Sequence, residues 1–271
     1  MSKLHPNLPP RSRTHLRLLT VLAAVVSLTA GTDSVADGAS SRPATTVVLV
    51  HGAFADASGW NDVSERLQEL GYTVIAPANP QRGLASDSAY LSSVLDTIEG
   101  QIVLVGHSYG GAVITNAAIG HPGVKALVYI AAFAPDAGET VGGLAAMNPG
   151  SGLVPENLVV RPYPGGLDAY IKPGVFRQVF AADVSRETAA IMAASQRPAD
   201  LSILSEPSGE PAWNTIPSWY MVASEDSTIP PATERFMAQR AGATTVEVQS
   251  SHVAMISHPR QVTNLILDAD R

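Results

Sequence analysis

The sequence predicts an α/β chain: a mostly parallel, doubly wound sheet with helices on both faces. Three observations predict it. Runs of apolar, largely β-branched residues recur without polar alternation, as strands buried on both faces require. Each run leads through a glycine-rich turn into a stretch with helical spacing, and such alternation builds a parallel sheet. The 271 residues are 45% hydrophobic and 15% charged, enough for one large core and too little charge for a disordered chain.

Thr46 to Val50 is the first expected strand. Trp60 to Leu70 places Trp60, Val63, Leu67 and Leu70 on one helical face and stops at Gly71. Tyr72 to Ile75 is a short strand closed by Pro77. Ser88 to Ile98 is a helix with Tyr90, Leu91, Val94, Leu95 and Ile98 on its apolar side. Gln101 to Val105 is a buried strand, followed by the turn Gly106 to Gly111 and a small-residue helix from Ala112 to Ile119. Val124 to Ile130 is the next strand. Residues 136–211 break the rhythm with prolines, glycines and helical pieces at Val175 to Ala182 and Arg186 to Ser195, without a strand pattern, and read as an insertion over one end of the sheet. The alternation resumes with strand Trp219 to Ala223, helix Thr233 to Ala241, strand Thr244 to Val248 and helix Gln261 to Asp270.

The first 36 residues have a different composition. Lys3, Arg11, Arg13 and Arg17 form a positive region without an acid, and an apolar run extends from Leu18 to Ala30. As a helix at 1.5 Å per residue this run covers roughly 20 Å, short of the ~30 Å of bilayer hydrocarbon. Ser34-Val35-Ala36 then supplies small residues. This order predicts a signal peptide over residues 1–36, cleaved after Ala36, and an exported domain over 37–271. Cleavage would leave 13 basic and 23 acidic residues, a net charge of −10. An acidic protein of this kind is not expected to bind nucleic acid, nor to stay on a membrane once the signal is gone. The chain has no cysteine, which excludes disulfides, thiolate nucleophiles and Cys-ligated zinc. His, Asp and Glu are not spaced as metal ligands, and a G-x-G-x-x-G fingerprint is missing. Neither a metal nor a cofactor is expected.

Val103-Leu104-Val105-Gly106-His107-Ser108-Tyr109-Gly110-Gly111 carries the most chemistry. A G-x-S-x-G turn between a buried strand and a small-residue helix presents its serine at the carboxyl edge of the sheet, and Ser108 is the expected nucleophile. Such a serine needs a base, an orienting acid and an oxyanion hole. His51 and His107 lie inside turns, and His121 follows the helix stop at Gly120. His252, in the loop after the strand ending at Val248, is the expected base, with His258 read as a surface residue before Pro259. Asp226, in the turn after strand Trp219 to Ala223, fits the acid best. Glu225, one residue away, and Asp136, after the third long strand, are the alternatives, and Asp226 also reads as an Asx-turn residue. After the first strand, His51-Gly52-Ala53 is placed to aim the Ala53 N–H at the site, with the Tyr109 N–H as second donor.

On the segments VLVHGAFADASGW, VLVGHSYGGAVITNAA, SWYMVASEDSTIPP and SHVAMISHP, the chain resembles the α/β-hydrolases. More narrowly, it is similar to their small-cap branch of plant methyl esterases, hydroxynitrile lyases and bacterial esterases. The resemblance implies an α/β-hydrolase fold with a small helical cap at about 136–211. It also implies a triad of Ser108, Asp226 and His252 and oxyanion donors at Ala53 and Tyr109. The activity expected is cofactor-free hydrolysis of a small-molecule carboxylic ester. Two other readings use the same scaffold: carbon–carbon cleavage like that of a hydroxynitrile lyase, and non-catalytic ligand binding. The resemblance implies a Lys after the histidine and a Thr in the first oxyanion turn for lyases, where this chain has Val253 and Gly52. Cap residues Phe176, Phe180, Ile191 and Met192 are apolar at helical spacing and read first as cap core, second as pocket lining.

Overall fold

The computed structural model describes residues 45–271, so the expected signal peptide and its cleavage site after Ala36 lie outside the described residues. The chain opens with β1 (Thr46–Val50), α1 (Asn61–Glu69), β2 (Thr73–Ile75), α2 (Leu84–Leu95), β3 (Ile102–Ser108), α3 (Tyr109–Ala117) and β4 (Val124–Ala132). An excursion follows, with α4 (Val141–Ala145), β5 (Leu158–Tyr163), β6 (Gly166–Ile171), α5 (Pro173–Phe180), α6 (Arg186–Ala194) and β7 (Ala199–Asp200). The chain returns through β8 (Ser218–Ala223), α7 (Pro231–Arg240), β9 (Thr244–Val248), the short α8 (Ala254–Ser257) and α9 (Pro259–Ala269).

Six strands form a wholly parallel sheet in the order β2-β1-β3-β4-β8-β9. The continuous apolar runs are explained by its centre: every residue of β1 and β3 is buried, and in β4 all but Lys125. From β1 the chain first steps outward to β2 and then back across to β3. The strand order therefore reverses between β1 and β3, where the crevice of an open α/β sheet forms. Val50 pairs with Gly106 there, so the loop after β1 and the turn after β3 emerge side by side. This juxtaposition positions the site.

Two expectations need correction. The helix expected at Ser88 begins at Leu84, and Tyr90, expected on its packed face, is 45% exposed; Leu84, Asp87, Ser88, Leu91 and Leu95 face inward instead. The insertion is not purely helical. The strands β5 and β6 pair antiparallel through their whole length, and β7 adds two residues to β6. Pro162 hid the first strand, because proline lacks a ladder donor, but β5 lies at the edge of this small sheet, where proline is tolerated. The helices α5 and α6 stand close to where the spacing predicts them.

Candidate active site

Ser108 ends β3 and caps α3 with φ 54° and ψ −125°, a left-handed conformation that costs a non-glycine residue about 1–3 kcal/mol. Close packing enforces it. A Cβ on Gly110 would lie 2.5 Å from the Val50 carbonyl oxygen, and one on Gly106 would lie 2.7 Å from that of Gly110. Only glycine at both places lets the helix start against the strands. The helix begins at once, with no loop between, so Ser108 lies at the positive end of its dipole.

The structure brings His252 and Asp226 together. His252 Nδ1 donates to Asp226 Oδ2 at 2.5 Å, and both side chains are fully buried. The other carboxylate oxygen, Oδ1, accepts from the backbone N–H of Thr228 at 2.5 Å and of Ile229 at 3.0 Å. Asp226 is therefore both the Asx-turn residue and the histidine's partner, one oxygen for each task. Glu225 is exposed and accepts from Gln249 at 2.6 Å, while Asp136 accepts from the neighbouring Ala137 N–H. With Nδ1 committed, the ring is held in the tautomer that leaves Nε2 as an acceptor. That Nε2 is buried and has no hydrogen-bond partner. It is the open position that a serine hydroxyl turned toward it would fill.

On the other side of Ser108, Gly52 packs so closely that a Cβ there would stand 2.6 Å from Ser108 Cβ. The following Ala53 N–H donates to no acceptor among the described residues. Tyr109 opens α3, where the first N–H groups lack helical partners. His51 is a support of this loop: its Nδ1 donates to Gly52 C=O at 2.9 Å and its Nε2 accepts from the Asn79 N–H at 2.9 Å. Burial lowers its proton affinity below the ordinary histidine range.

Sequence reasoning missed several supporting residues. Gln81, fully buried, accepts from the Phe54 N–H at 3.0 Å and donates to Ala55 C=O at 3.1 Å, bracing the oxyanion loop. Asp87 accepts from the Tyr109 hydroxyl at 2.7 Å. Asp183, from the cap, accepts from the Ser250 hydroxyl at 2.9 Å and the Ser251 N–H at 3.0 Å, tying the cap to the loop before His252. His258 is only partly at the surface. It is three-quarters buried, bonded to Ser257 at 2.9 Å and 4.0 Å from Asp183. The local sequence carries no signal for these, since Gln81 stands beside Arg82, Asp87 between Ser86 and Ser88, and His258 between Ser257 and Pro259.

Two cavities flank the centre and meet at Phe54. One, about 250 Å³, lies under α5 and α6 and is lined by Phe176, Phe180, Met192 and Met255. The other, about 270 Å³, is lined by Phe133, Val141, Leu153 and Leu204. Phe180 stands edge-on to the His252 ring with centroids 4.9 Å apart, and Phe133 donates its N–H to Ser108 C=O at 3.0 Å. Phe176 and Phe180 are thus cap core and lining at once, whereas Ile191 is 70% exposed at the rim of the first cavity.

A six-stranded parallel sheet with a strained serine at its switch point and a His–Asp pair beside it defines a hydrolase-type α/β protein. The model of the Alpha/beta hydrolase family matches residues 47–265, and the chain belongs to that family. A carbendazim hydrolyzing esterase of Nocardioides sp. (strain SG-4G) is 36% identical over 107 residues, 35% of this chain and 44% of that relative. The match therefore spans less than half of that relative's length. A pyrethroid hydrolase of Sphingobium wenxiniae is 28% identical over 266 residues, covering 83% of this chain and 87% of the relative. The solved structure of polyneuridine aldehyde esterase shares the fold, with a TM-score of 0.72 at 22% identity over 84% of this chain and 99% of that one.

Proposed function

We propose that the protein is a carboxylic ester hydrolase acting through an acyl-enzyme on Ser108. The observation that carries this reading is the fully buried Asp226–His252 pair with its unpartnered Nε2, on a segment bonded to His107, the residue next to the strained serine. In the mechanism, Ser108 Oγ attacks the ester carbonyl while His252 Nε2 takes its proton. The oxyanion is received by the N–H groups of Ala53 and Tyr109. The imidazolium, stabilised by Asp226, returns the proton to the departing alcohol. Water, activated by the same nitrogen, then releases the acid and restores the serine. Esterase and hydrolase names among the relatives agree with this chemistry.

The mostly apolar linings favour esters with apolar groups over charged ones. Export is part of the proposal and rests on the order of charge, apolar run and small residues over 1–36. Purified protein should hydrolyse p-nitrophenyl acetate and butyrate and methyl esters of aromatic acids. A fluorophosphonate should add one phosphonyl group, mapped to Ser108 by peptide mass. Absence of both turnover and labelling overturns the esterase reading. Protein recovered outside the cytoplasm should begin at Asp37, and an intact Met1 terminus on soluble cytosolic protein overturns export.

A further inference from the structure

Glu234, on the first turns of α7, is fully buried. Its Oε2 accepts from the Ala223 N–H at 3.0 Å, and its Oε1 is buried without a hydrogen-bond donor in reach. The Ala223 C=O in turn accepts from the Asp226 N–H at 3.2 Å, so Glu234 and Asp226 bracket the same residue at the end of β8. Both side chains are thus brought to the end of β8, and the unpartnered Oε1 is the Glu234 oxygen left to meet Asp226. Two carboxyl groups in contact away from water cannot both be ionised. Asp226 accepts three N–H donors, from Thr228, Ile229 and His252, whereas Glu234 accepts one. With one donor against three, Glu234 is the carboxyl that holds the proton.

We propose that Glu234 is a positioning residue of the triad, a neutral carboxylic acid whose Oε1–H donates to Asp226 and holds that carboxylate against His252 Nδ1. This rests on the reading of Asp226 as the triad acid. Burial and the neighbouring Asp226 charge both push the Glu234 carboxyl well above the ordinary glutamate range, in agreement with the geometry. The other ionisable groups around it do not supply a competing cation. Tyr220, on β8, donates its hydroxyl to Ala132 C=O, and Arg235, next along α7, is engaged with Glu247 at 2.5 Å on the surface. A Glu at this place would otherwise be an unpaired buried charge. As an acid it supplies the one donor that backbone groups cannot.

The test compares Glu234→Gln with Glu234→Leu. Gln keeps both an acceptor for Ala223 and a donor for Asp226, so its kcat/KM at neutral pH should stay within a few-fold of wild type. Leu removes both, and kcat should fall roughly 10- to 100-fold with KM little changed, the scale of a lost orienting partner. Wild type should also lose activity at alkaline pH as Glu234 ionises against Asp226, and Glu234→Gln should lack that limb. Glu234→Gln as impaired as Glu234→Leu, or an unaltered alkaline limb in Gln, overturns the proposal.

A second readout does not depend on activity. The folded state keeps a proton that the unfolded chain releases above about pH 4.3, so wild-type stability should fall with rising pH relative to Glu234→Gln, by up to about tenfold in folding constant per pH unit. Parallel stability curves overturn the protonated Glu234. Parallel curves leave the esterase reading untouched, and absent ester turnover with divergent curves removes that reading instead.

Discussion

The His107 Nε2–H donates to the backbone carbonyl of His252 at 2.8 Å, so the residue before the elbow serine holds the segment that carries the base. The two rings lie 4.7 Å apart. Because Nε2 must carry the hydrogen, Nδ1 of His107 is the unprotonated nitrogen, buried and without a partner. A second positive imidazole this close to His252 would oppose the charge that forms on the base, and burial prevents it.

Burial first, and His252 second, push His107 well below the ordinary histidine value of about 6.5. The folded protein therefore binds fewer protons than the unfolded chain below that pH. The contribution of this residue to stability should be fully present above about pH 6.5 and be lost as pH falls below it, by up to about 1.4 kcal/mol per pH unit. His107→Gln, which can still donate to His252 C=O, should flatten part of that slope, the remainder belonging to other groups such as His51. Urea unfolding at pH 7.5 and 5.5 reads the difference. Equal slopes in the two proteins would refute the neutral His107.

Ser108→Ala and His252→Ala should each lower ester turnover by ~10⁴ to 10⁶, and the double variant should be scarcely slower than either, since triad members act as one unit. Circular dichroism should report an unchanged fold. If the two losses multiply, the residues do not share one mechanism.

Asp226→Asn should reduce kcat severely, because the amide cannot stabilise an imidazolium and invites the wrong tautomer. Glu225→Gln should be within a few-fold of wild type, since Glu225 is exposed and bonded only to Gln249. Reversed sensitivities in a steady-state comparison would move the acid by one residue.

Two features argue against lyase chemistry. A side chain at 52 would meet Ser108 Cβ at 2.6 Å, and position 253 carries a fully buried, uncharged valine. Mandelonitrile should release cyanide no faster with enzyme than without it. Gly52→Thr should not create that activity; it should cost about 1–3 kcal/mol of stability and abolish esterase turnover by pushing Ser108 aside. Cyanide release that disappears in Ser108→Ala would restore the lyase reading.

Met192 lines the cavity under the cap helices. Met192→Trp should fill part of it and lower kcat/KM for p-nitrophenyl octanoate relative to acetate by roughly tenfold, the scale of a few methylenes refused by a pocket. An unchanged ratio would mean that acyl chains lie elsewhere.

How much of this is legible in the chain follows the range of the interactions. The elbow is legible within nine residues, as a buried apolar run, two glycines and a serine; the clash at Gly106 is with nearby Gly110, while that at Gly110 is with Val50 on the neighbouring strand. Asp226 is legible only as one of three acids. Its distinction from Glu225 is a matter of which carboxylate the turn aims inward, and Oδ1 bonding to Thr228 and Ile229 does that aiming. The hairpin of β5 and β6 escapes a local reading because β5 contains Pro162 and buries none of its residues, so it lacks the buried apolar run that marks the central strands. Glu234 and His107 are ordinary polar residues in the sequence. Folding packs α7 beside the Asp226 loop and the elbow beside the His252 loop, across 145 residues in the latter case. Only once water is excluded there do a carboxyl and an imidazole change proton affinity enough to matter.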